Sequence, residues 1–229
     1  MRISIIIPVF NEERTLEKIL EKMSKLNLGM RKEILIINDG STDNSRKIIE
    51  DFIKENKKED IKVISKKNEG KGSAIRVGIK LARGEIITIQ DADLEYDPND
   101  FKTLIKPIVN GKEKVVYGSR FLKAHKPMYK IYFLGNKFLS FLTKVLYGHR
   151  ITDMETCYKV FDAKVIKSID LRANKFDIEP EITSKILKKG IRIKEIPISY
   201  SPRKIEEGKK INWKDGIQAI FTLLYWRAH

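Results

Sequence analysis

Three acids stand directly after one of the most hydrophobic stretches of the chain. Asp91, Asp93 and Glu95 alternate with Ala92 and Leu94, following Ile86-Ile87-Thr88-Ile89-Gln90. In extended chain, alternate side chains point the same way, so this spacing lets three carboxylates face one point at the end of a strand. In open α/β sheets that edge is where ligands bind. Carboxylate oxygens suit a hard cation such as Mg²⁺ or Mn²⁺, shared with substrate phosphates. The alternative is a solvated strand end or a cap for the next helix. A fourth acid, Asp39 in Asn38-Asp39-Gly40-Ser41, also follows a strand-like run. It can hold a ribose or a base by accepting hydrogen bonds, or serve only as a turn residue.

Such groups need a frame, and the hydrophobic pattern supplies one. Residues 3–9 form a continuous apolar run that reads as a buried parallel strand. Helical spacing follows over 14–26, with Leu16, Ile19, Leu20 and Met23 on one face. Strands are predicted at 33–38, 62–65, 85–90, 114–118 and 192–199. Helices are predicted at 45–56, 72–82, 99–109, 128–147, 176–189 and 213–226. Alternating strand and helix make the class α/β with a mainly parallel central sheet. The first turn, Pro8-Val9-Phe10-Asn11-Glu12-Glu13, has no glycine. That excludes a dinucleotide fingerprint there, and a nucleotidylyltransferase would need a Gly-rich loop at the same place. Gly70-Lys71-Gly72-Ser73 only echoes a Walker motif.

The 229 residues suffice for one domain with a large core. Forty-six Lys and Arg against 31 Asp and Glu leave a formal charge of +15, which favours anionic partners. The single Cys157 rules out an internal disulfide and fits a reducing compartment. Met1-Arg2 runs straight into the first strand, so no secretory leader is expected. No apolar run reaches the ~18–20 residues of a membrane span.

Four motifs then occur in order: Ile7-Pro8-Val9-Phe10-Asn11-Glu12, Asn38-Asp39-Gly40-Ser41-Thr42-Asp43, Asn68-Glu69-Gly70-Lys71-Gly72-Ser73-Ala74 and Asp91-Ala92-Asp93. Together they resemble the family 2 glycosyltransferases, which have the GT-A fold, and cover residues 3–98. The resemblance implies a nucleotide-sugar donor. Pro8, Phe10 and Glu12 would border the nucleotide, with Asp39 near the base and Ile37 beneath it. Lys71 would lie close to the diphosphate. Asp91 and Ala92 would pack near the nucleotide, and Asp91, Asp93 and Glu95 would organise Mg²⁺ or Mn²⁺.

The second half extends the resemblance. Asp153-Met154-Glu155-Thr156-Cys157-Tyr158-Lys159, Phe176-Asp177-Ile178-Glu179-Pro180-Glu181 and Ser199-Tyr200-Ser201-Pro202-Arg203 are similar to the polyprenyl-phosphate branch of the family, which includes dolichyl-phosphate mannose synthases. That branch moves a hexose to dolichyl or polyprenyl phosphate, with GDP-mannose the leading donor here and UDP-sugars next. Arg120 and Arg203 match positions near the acceptor phosphate and donor diphosphate. Lys209 matches a phosphate contact on a Gly208-containing lid. Glu179 or Glu181 would bind sugar hydroxyls or act as a base, or be acids favoured at a helix N-terminus. Glu95 stands where a mannose synthase carries Gln.

Residues 114–152 contain no Asp or Glu. Within them, the 128–147 helix gathers Ile131, Leu134, Phe138, Phe141 and Val145 on one face and Lys130, Lys137 and Lys144 on another. Tyr129, Tyr132, Phe133 and Tyr147 add aromatics. This pattern suits an anionic membrane surface; the alternative is a core-packed helix with a solvated lysine face. The 213–226 helix, with Trp213, Ile217, Ile220 and Leu224, is core-packed or interfacial. The expectation is a peripheral enzyme on the cytosolic face of a membrane. Two rival readings remain at this stage. A glycan or protein hydroxyl acceptor would require Glu179 or Glu181 as base, although the Gln-x-x-Arg-Trp signature is absent. A basic nucleic-acid-binding module would explain the charge, but no nucleic-acid motif is found.

Overall fold

The structure is a computed structural model that describes residues 1–57, 60–123, 130–203 and 213–229. A seven-stranded sheet runs in the order β3-β2-β1-β4-β6-β5-β7. Its first four strands are β1 (Arg2–Val9), β2 (Arg31–Asn38), β3 (Ile61–Ser65) and β4 (Ile86–Ile89). All four are parallel. Between them lie α1 (Leu16–Lys25), α2 (Ser45–Glu55) and α3 (Lys71–Leu81). Ile3, Ile5, Ile6 and Ile7 of β1 and Ile34 to Ile37 of β2 are all buried. Burial on both faces explains why these strands read as unbroken apolar runs.

The chain goes from β1 outward to β3, then returns to place β4 on the other side of β1. The crevice between the C-terminal ends of β1 and β4 is therefore the switch point of the sheet. The turn after β1 and the three acids after β4 meet there.

After β4 the predicted helix over 99–109 is broken. A single 3₁₀ turn at Pro98–Asp100 leads into α4 (Phe101–Leu104) and α5 (Lys106–Val109). Pro107 has no N–H for the Thr103 carbonyl and its ring crowds it. Next come β5 (Val115–Ser119) and α6 (Lys130–Tyr147). An element the pattern did not reveal follows, β6 (Lys159–Asp162), antiparallel between β4 and β5. Then come α7 (Ala163–Lys167), α8 (Ile178–Lys188), β7 (Lys194–Pro197) and α9 (Trp213–Ala228). β7 is parallel to β5 and shorter than the predicted 192–199 strand.

α6 is held by a narrow line of side chains. Leu139, Ser140 and Thr143 are buried, and Tyr147 donates to the Leu223 carbonyl of α9 at 2.7 Å. Its long apolar face points away from the core: Ile131 is 72% exposed and Phe141 62%, with Leu134, Phe138 and Val145 also exposed. Tyr132, Phe133 and Tyr147 pack partly inward, so the outward face is aliphatic and Phe-rich. α9 repeats the arrangement. Ala219, Thr222 and Leu223 are buried, whereas Trp213, Ile217, Phe221 and Leu224 are exposed. Among the described residues no helix is long and apolar enough to cross a membrane.

Candidate active site

The turn after β1 and the turn after β2 are knitted to each other. Thr42 donates its backbone N–H to Asn11 Oδ1 at 2.8 Å, and Glu12 N–H donates to Ser45 Oγ at 2.9 Å. Glu13 N–H donates to Asp43 Oδ2 at 3.0 Å. The polar residues of the first two motifs thus satisfy one another and leave the Glu12 side chain facing the crevice. Thr15 donates to the Ala92 carbonyl at 2.6 Å, tying α1 to the turn after β4. Pro8 and Ile37 are opposed in the β1–β2 register and both buried. Ala92, after β4, is buried as well, and Phe10, after β1, is exposed.

Asp39 makes the contacts of a loop-holding residue, the second of the two readings. It is buried, and its carboxylate accepts Gly70 N–H at 2.7 Å, Glu69 N–H at 3.2 Å and Lys66 Nζ at 2.6 Å. Its hydrogen bonds hold the 66–70 loop against β2 instead of facing open space. Gly70 and Gly72 have a packing role as well. A Cβ on Gly70 would meet the Asn174 carbonyl oxygen at 2.5 Å, and one on Gly72 the Ala173 carbonyl oxygen at 2.6 Å. Gly70 also has φ +107°, open mainly to glycine. The glycines let the 173–175 loop close onto the start of α3, where Ser73 N–H donates to Asn174 O at 3.0 Å.

That closure delivers Lys71, whose Nζ is 2.8 Å from Asp91 Oδ2 and 3.6 Å from Glu179 Oε1. The other Glu179 oxygen accepts from Lys159, which is fully buried and also donates to the carbonyls of Met154 and Thr156. Charges alternate along Asp91, Lys71, Glu179 and Lys159. Burial by itself would lower the Lys71 ammonium, but the charges of Asp91 and Glu179 override it and hold it well above its ordinary value. Burial likewise opposes ionisation of Asp91. Lys71, the Cys157 thiol and Arg203 outweigh it and hold that carboxyl below the usual range.

The other two acids of the trio face a different cation. Residues 200–203 run beside 95–96: Tyr96 and Tyr200 form an antiparallel bridge, and Ser201 N–H donates to Glu95 O at 2.9 Å. Arg203 is thereby brought to 3.1 Å from Asp93 Oδ2, 3.1 Å from Glu12 Oε2 and 3.7 Å from Glu95 Oε1. Glu95 also accepts Tyr200 Oη at 3.0 Å and Arg203 N–H at 3.0 Å. Burial, with the charges of Asp91 and Glu95, pushes Asp93 up to about 7 against the pull of Arg203. The expected three-carboxylate convergence is therefore divided. Asp91 turns to Lys71, while Asp93 and Glu95 turn to Arg203. Among the described residues no three acids, histidines or cysteines are grouped to hold a metal. The donor set still fits Mg²⁺ or Mn²⁺, because Asp93 and Glu95 already share one cationic group. Two carboxylates completed by substrate phosphates and water is the usual way such ions are held.

Arg120 is a buried fork. Its Nε and Nη2 meet Asp153 Oδ2 and Oδ1, each at 2.7 Å, and Tyr200 lies under the guanidinium at 5.1 Å. The edge expected to meet a phosphate is occupied by Asp153. Glu181 also departs from expectation. Its carboxylate accepts from Arg172 N, Ala173 N and Lys185 Nζ, holding the 170–173 loop. A base role is thus left to Glu179 alone of that pair. Lys209 and Gly208, like His125, Met128 and Tyr129, lie outside the described residues. Lys159 carries a role that the sequence did not signal. A lysine next to a strand reads as solvated until the fold buries it.

Known proteins share the fold and the family of this chain. Among solved structures, glucosyl-3-phosphoglycerate synthase from Mycobacterium tuberculosis in complex with UDP has a TM-score of 0.76 at 18% identity, over 99% of this chain and 80% of that one. The same enzyme with Mn²⁺, UDP and glucosyl-3-phosphoglycerate has a TM-score of 0.73. The fold is GT-A, as expected. The UDP-N-acetylglucosamine–dolichyl-phosphate N-acetylglucosaminyltransferase of Methanococcus voltae is 30% identical over 97% of this chain and 94% of its own length. The dolichol-phosphate mannosyltransferase of Pyrococcus furiosus is 28% identical over 100% of this chain and 65% of its own length. The Glycosyl transferase family 2 model matches residues 4–170, which span both the crevice turns and the loop that seats Arg120. The switch-point crevice, the fold and this match lead to one statement: the chain belongs to Glycosyl transferase family 2.

Proposed function

We propose that the protein transfers a hexose, with inversion, from a nucleoside-diphosphate sugar to dolichyl or another polyprenyl phosphate. The observation that carries this reading is the crevice between β1 and β4, where Glu12, Asp91, Asp93 and Glu95 meet the cations of Lys71 and Arg203. Such a site can hold a diphosphate and, through Asp93 with Glu95 and Asp91, a divalent ion. When bound, Mg²⁺ or Mn²⁺ would neutralise charge on the departing diphosphate. The rest falls to the chain. Lys71 and Arg203 leave their carboxylates for phosphate oxygens, and Lys209 adds a further cation. Arg120, now held on both forks by Asp153, would exchange that carboxylate for the acceptor phosphate.

A phosphate monoester is already an anion near neutral pH, so the acceptor needs orientation for in-line attack on the anomeric carbon more than a base. The oxygen–anomeric carbon bond forms as the bond to the nucleoside diphosphate breaks. The sugars named by the two dolichyl-phosphate relatives differ, so the donor panel carries GDP-mannose and UDP-sugars alike. The outward apolar faces of α6 and α9, with Lys137 and Lys144 exposed on α6, fit docking on the anionic cytosolic surface of a membrane, where the lipid phosphate would be met.

The test is transfer of label from nucleotide sugars to polyprenyl phosphate in detergent with Mn²⁺ or Mg²⁺, followed into the organic phase. One donor delivering label is the expected result. Donor binding without lipid transfer would refute the acceptor. A companion measurement is co-sedimentation with anionic vesicles. Wild type is expected to bind, and a Phe138→Ser/Phe141→Ser/Phe221→Ser variant to bind at least ~10-fold more weakly. Equal partitioning would refute membrane docking.

A further inference from the structure

Lys159 is the first residue of β6 and is fully buried. Its ammonium has three protons, and three acceptors take them: the Met154 carbonyl at 3.1 Å, the Thr156 carbonyl and Glu179 Oε2. The Tyr117 ring lies 4.8 Å from it. Lysine is almost never fully buried unless paired, and an apolar pair of similar volume is often as stable as a buried ion pair. Stability alone therefore does not account for a charge at this position. Its partner supplies another account. Glu179 stands in the first turn of α8, and its two oxygens face two lysines. Oε2 is taken by Lys159. Oε1 is 3.6 Å from Lys71 Nζ, beyond hydrogen-bond reach, while Lys71 is hydrogen-bonded to Asp91 at 2.8 Å. Lys71 is thus drawn to the Asp91 end of the row. Asp91, Lys71, Glu179 and Lys159 alternate in sign, so the row is neutral as a whole. Without Lys159 it would carry a net negative charge beside the place proposed for a diphosphate, and Glu179 would answer to Lys71 alone.

We propose that Lys159 is a positioning residue for donor binding: by neutralising Glu179 it leaves Lys71 at the crevice, able to pass from Asp91 to the diphosphate. This rests on the glycosyl-transfer reading above. Being fully buried, Lys159 acts through Glu179 and Lys71. The same ammonium also ties the 154–156 loop, whose neighbour Asp153 seats Arg120. That fastening alone would leave the gain in affinity from nucleoside monophosphate to diphosphate untouched. The charge balance acts on that gain.

Titration calorimetry of UMP, UDP, GMP and GDP with Mg²⁺ reads this gain in wild type, Lys159→Met, Lys159→Gln and Lys159→Met/Glu179→Gln, with folding checked by melting temperature. Wild type should bind one diphosphate at least ~10-fold more tightly than its monophosphate. In Lys159→Met the monophosphate should stay within about 2-fold of wild type, while the diphosphate weakens ~10-fold. Lys159→Gln keeps an amide donor for the two carbonyls and should show the same loss. The double variant removes both charges and so spares the fold an uncompensated acid. It should restore the gain to within about 3-fold of wild type, and it decides even where a single variant does not fold. A gain unchanged in a folded single variant, an equal loss for mono- and diphosphate, or no recovery in the double variant overturns the proposal. If wild type binds neither diphosphate better than its monophosphate, the diphosphate reading of the crevice fails, which is a separate result.

Discussion

Arg203 Nη2 lies 3.1 Å from Asp93 Oδ2, although 110 residues separate them in the chain. The same guanidinium touches Glu12, after β1, and faces Glu95, so one arginine meets three acids drawn from two strand ends. Burial alone would lower the arginine, but Asp93, Glu12 and Glu95 together raise it above its usual value. A divalent ion must compete with this side chain for Asp93. Arg203→Ala is therefore expected to bind Mn²⁺ about 10-fold more tightly than wild type without nucleotide, the scale of one charge-assisted contact. The same variant should lose at least ~100-fold in transfer, because the phosphate contact goes with it. Mn²⁺ titration by electron paramagnetic resonance reads the first effect. Unchanged or weaker Mn²⁺ binding would show that Arg203 does not guard the acids.

Lys71 serves two carboxylates, the partly buried Asp91 and the buried Glu179. Lys71→Met keeps the aliphatic stem and removes the charge, leaving both acids with one cation fewer. Removal of one partner from a buried pair costs about 3–5 kcal/mol. Urea unfolding should show a lower midpoint at constant slope, and nucleotide-sugar binding should be lost. Stability within about 0.5 kcal/mol of wild type would mean that the alternating chain from Asp91 to Lys159 is not a structural unit.

Gly72 packs against carbonyl oxygens of Ala173 and Lys175, at 2.6 and 2.8 Å from an added Cβ. Backbone cannot yield as a flexible side-chain end can. Gly72→Ala should therefore cost about 1–3 kcal/mol and loosen the seat of Lys71. Gly111→Ser is the comparison: nothing lies within 4 Å of its Cβ, but its φ of +66° still adds strain. A Gly72→Ala protein as stable as wild type would remove the packing account of this motif.

Glu155 gives the ligand-free protein a pH signature. Its folded value of about 7 is above the ordinary 4.5, with burial the main cause. Between these values the folded state keeps a proton that the unfolded chain has released, so stability falls as pH rises through the window. Glu155→Gln cannot titrate. It should match wild type below about pH 4.5 and exceed it above pH 7 by on the order of 1–3 kcal/mol. Thermal melts at pH 4 and pH 8 check this. A difference of the same size at both pH values would show that the carboxyl is not held neutral.

The parallel half of the sheet was legible because its strands are buried on both faces, which leaves an unbroken apolar run in the sequence. The acids after β4 were legible for the same reason: charge at the end of such a run must lie at the sheet edge. α6 was legible as a helix, and its apolar stripe was correctly grouped. Which stripe met the core was open, since Leu139, Ser140 and Thr143 make a less hydrophobic face than the one left outside.

What the sequence by itself determined is the strand–helix alternation of the parallel half, the family and the position of the acids at the end of β4. Those follow from local periodicity and short motifs, each contained within a few residues. Only the tertiary structure decided which charge answers which. Asp39 and Glu181 were candidate ligand groups, and the fold uses both to tie down loops. Asp91 and Asp93 are two residues apart, yet one pairs with Lys71 and the other with Arg203. β6 escaped the pattern because Lys159 looks solvated until Glu179 and two carbonyls surround it. Electrostatic pairing is set by distances between segments remote in sequence, and no local spacing encodes those distances.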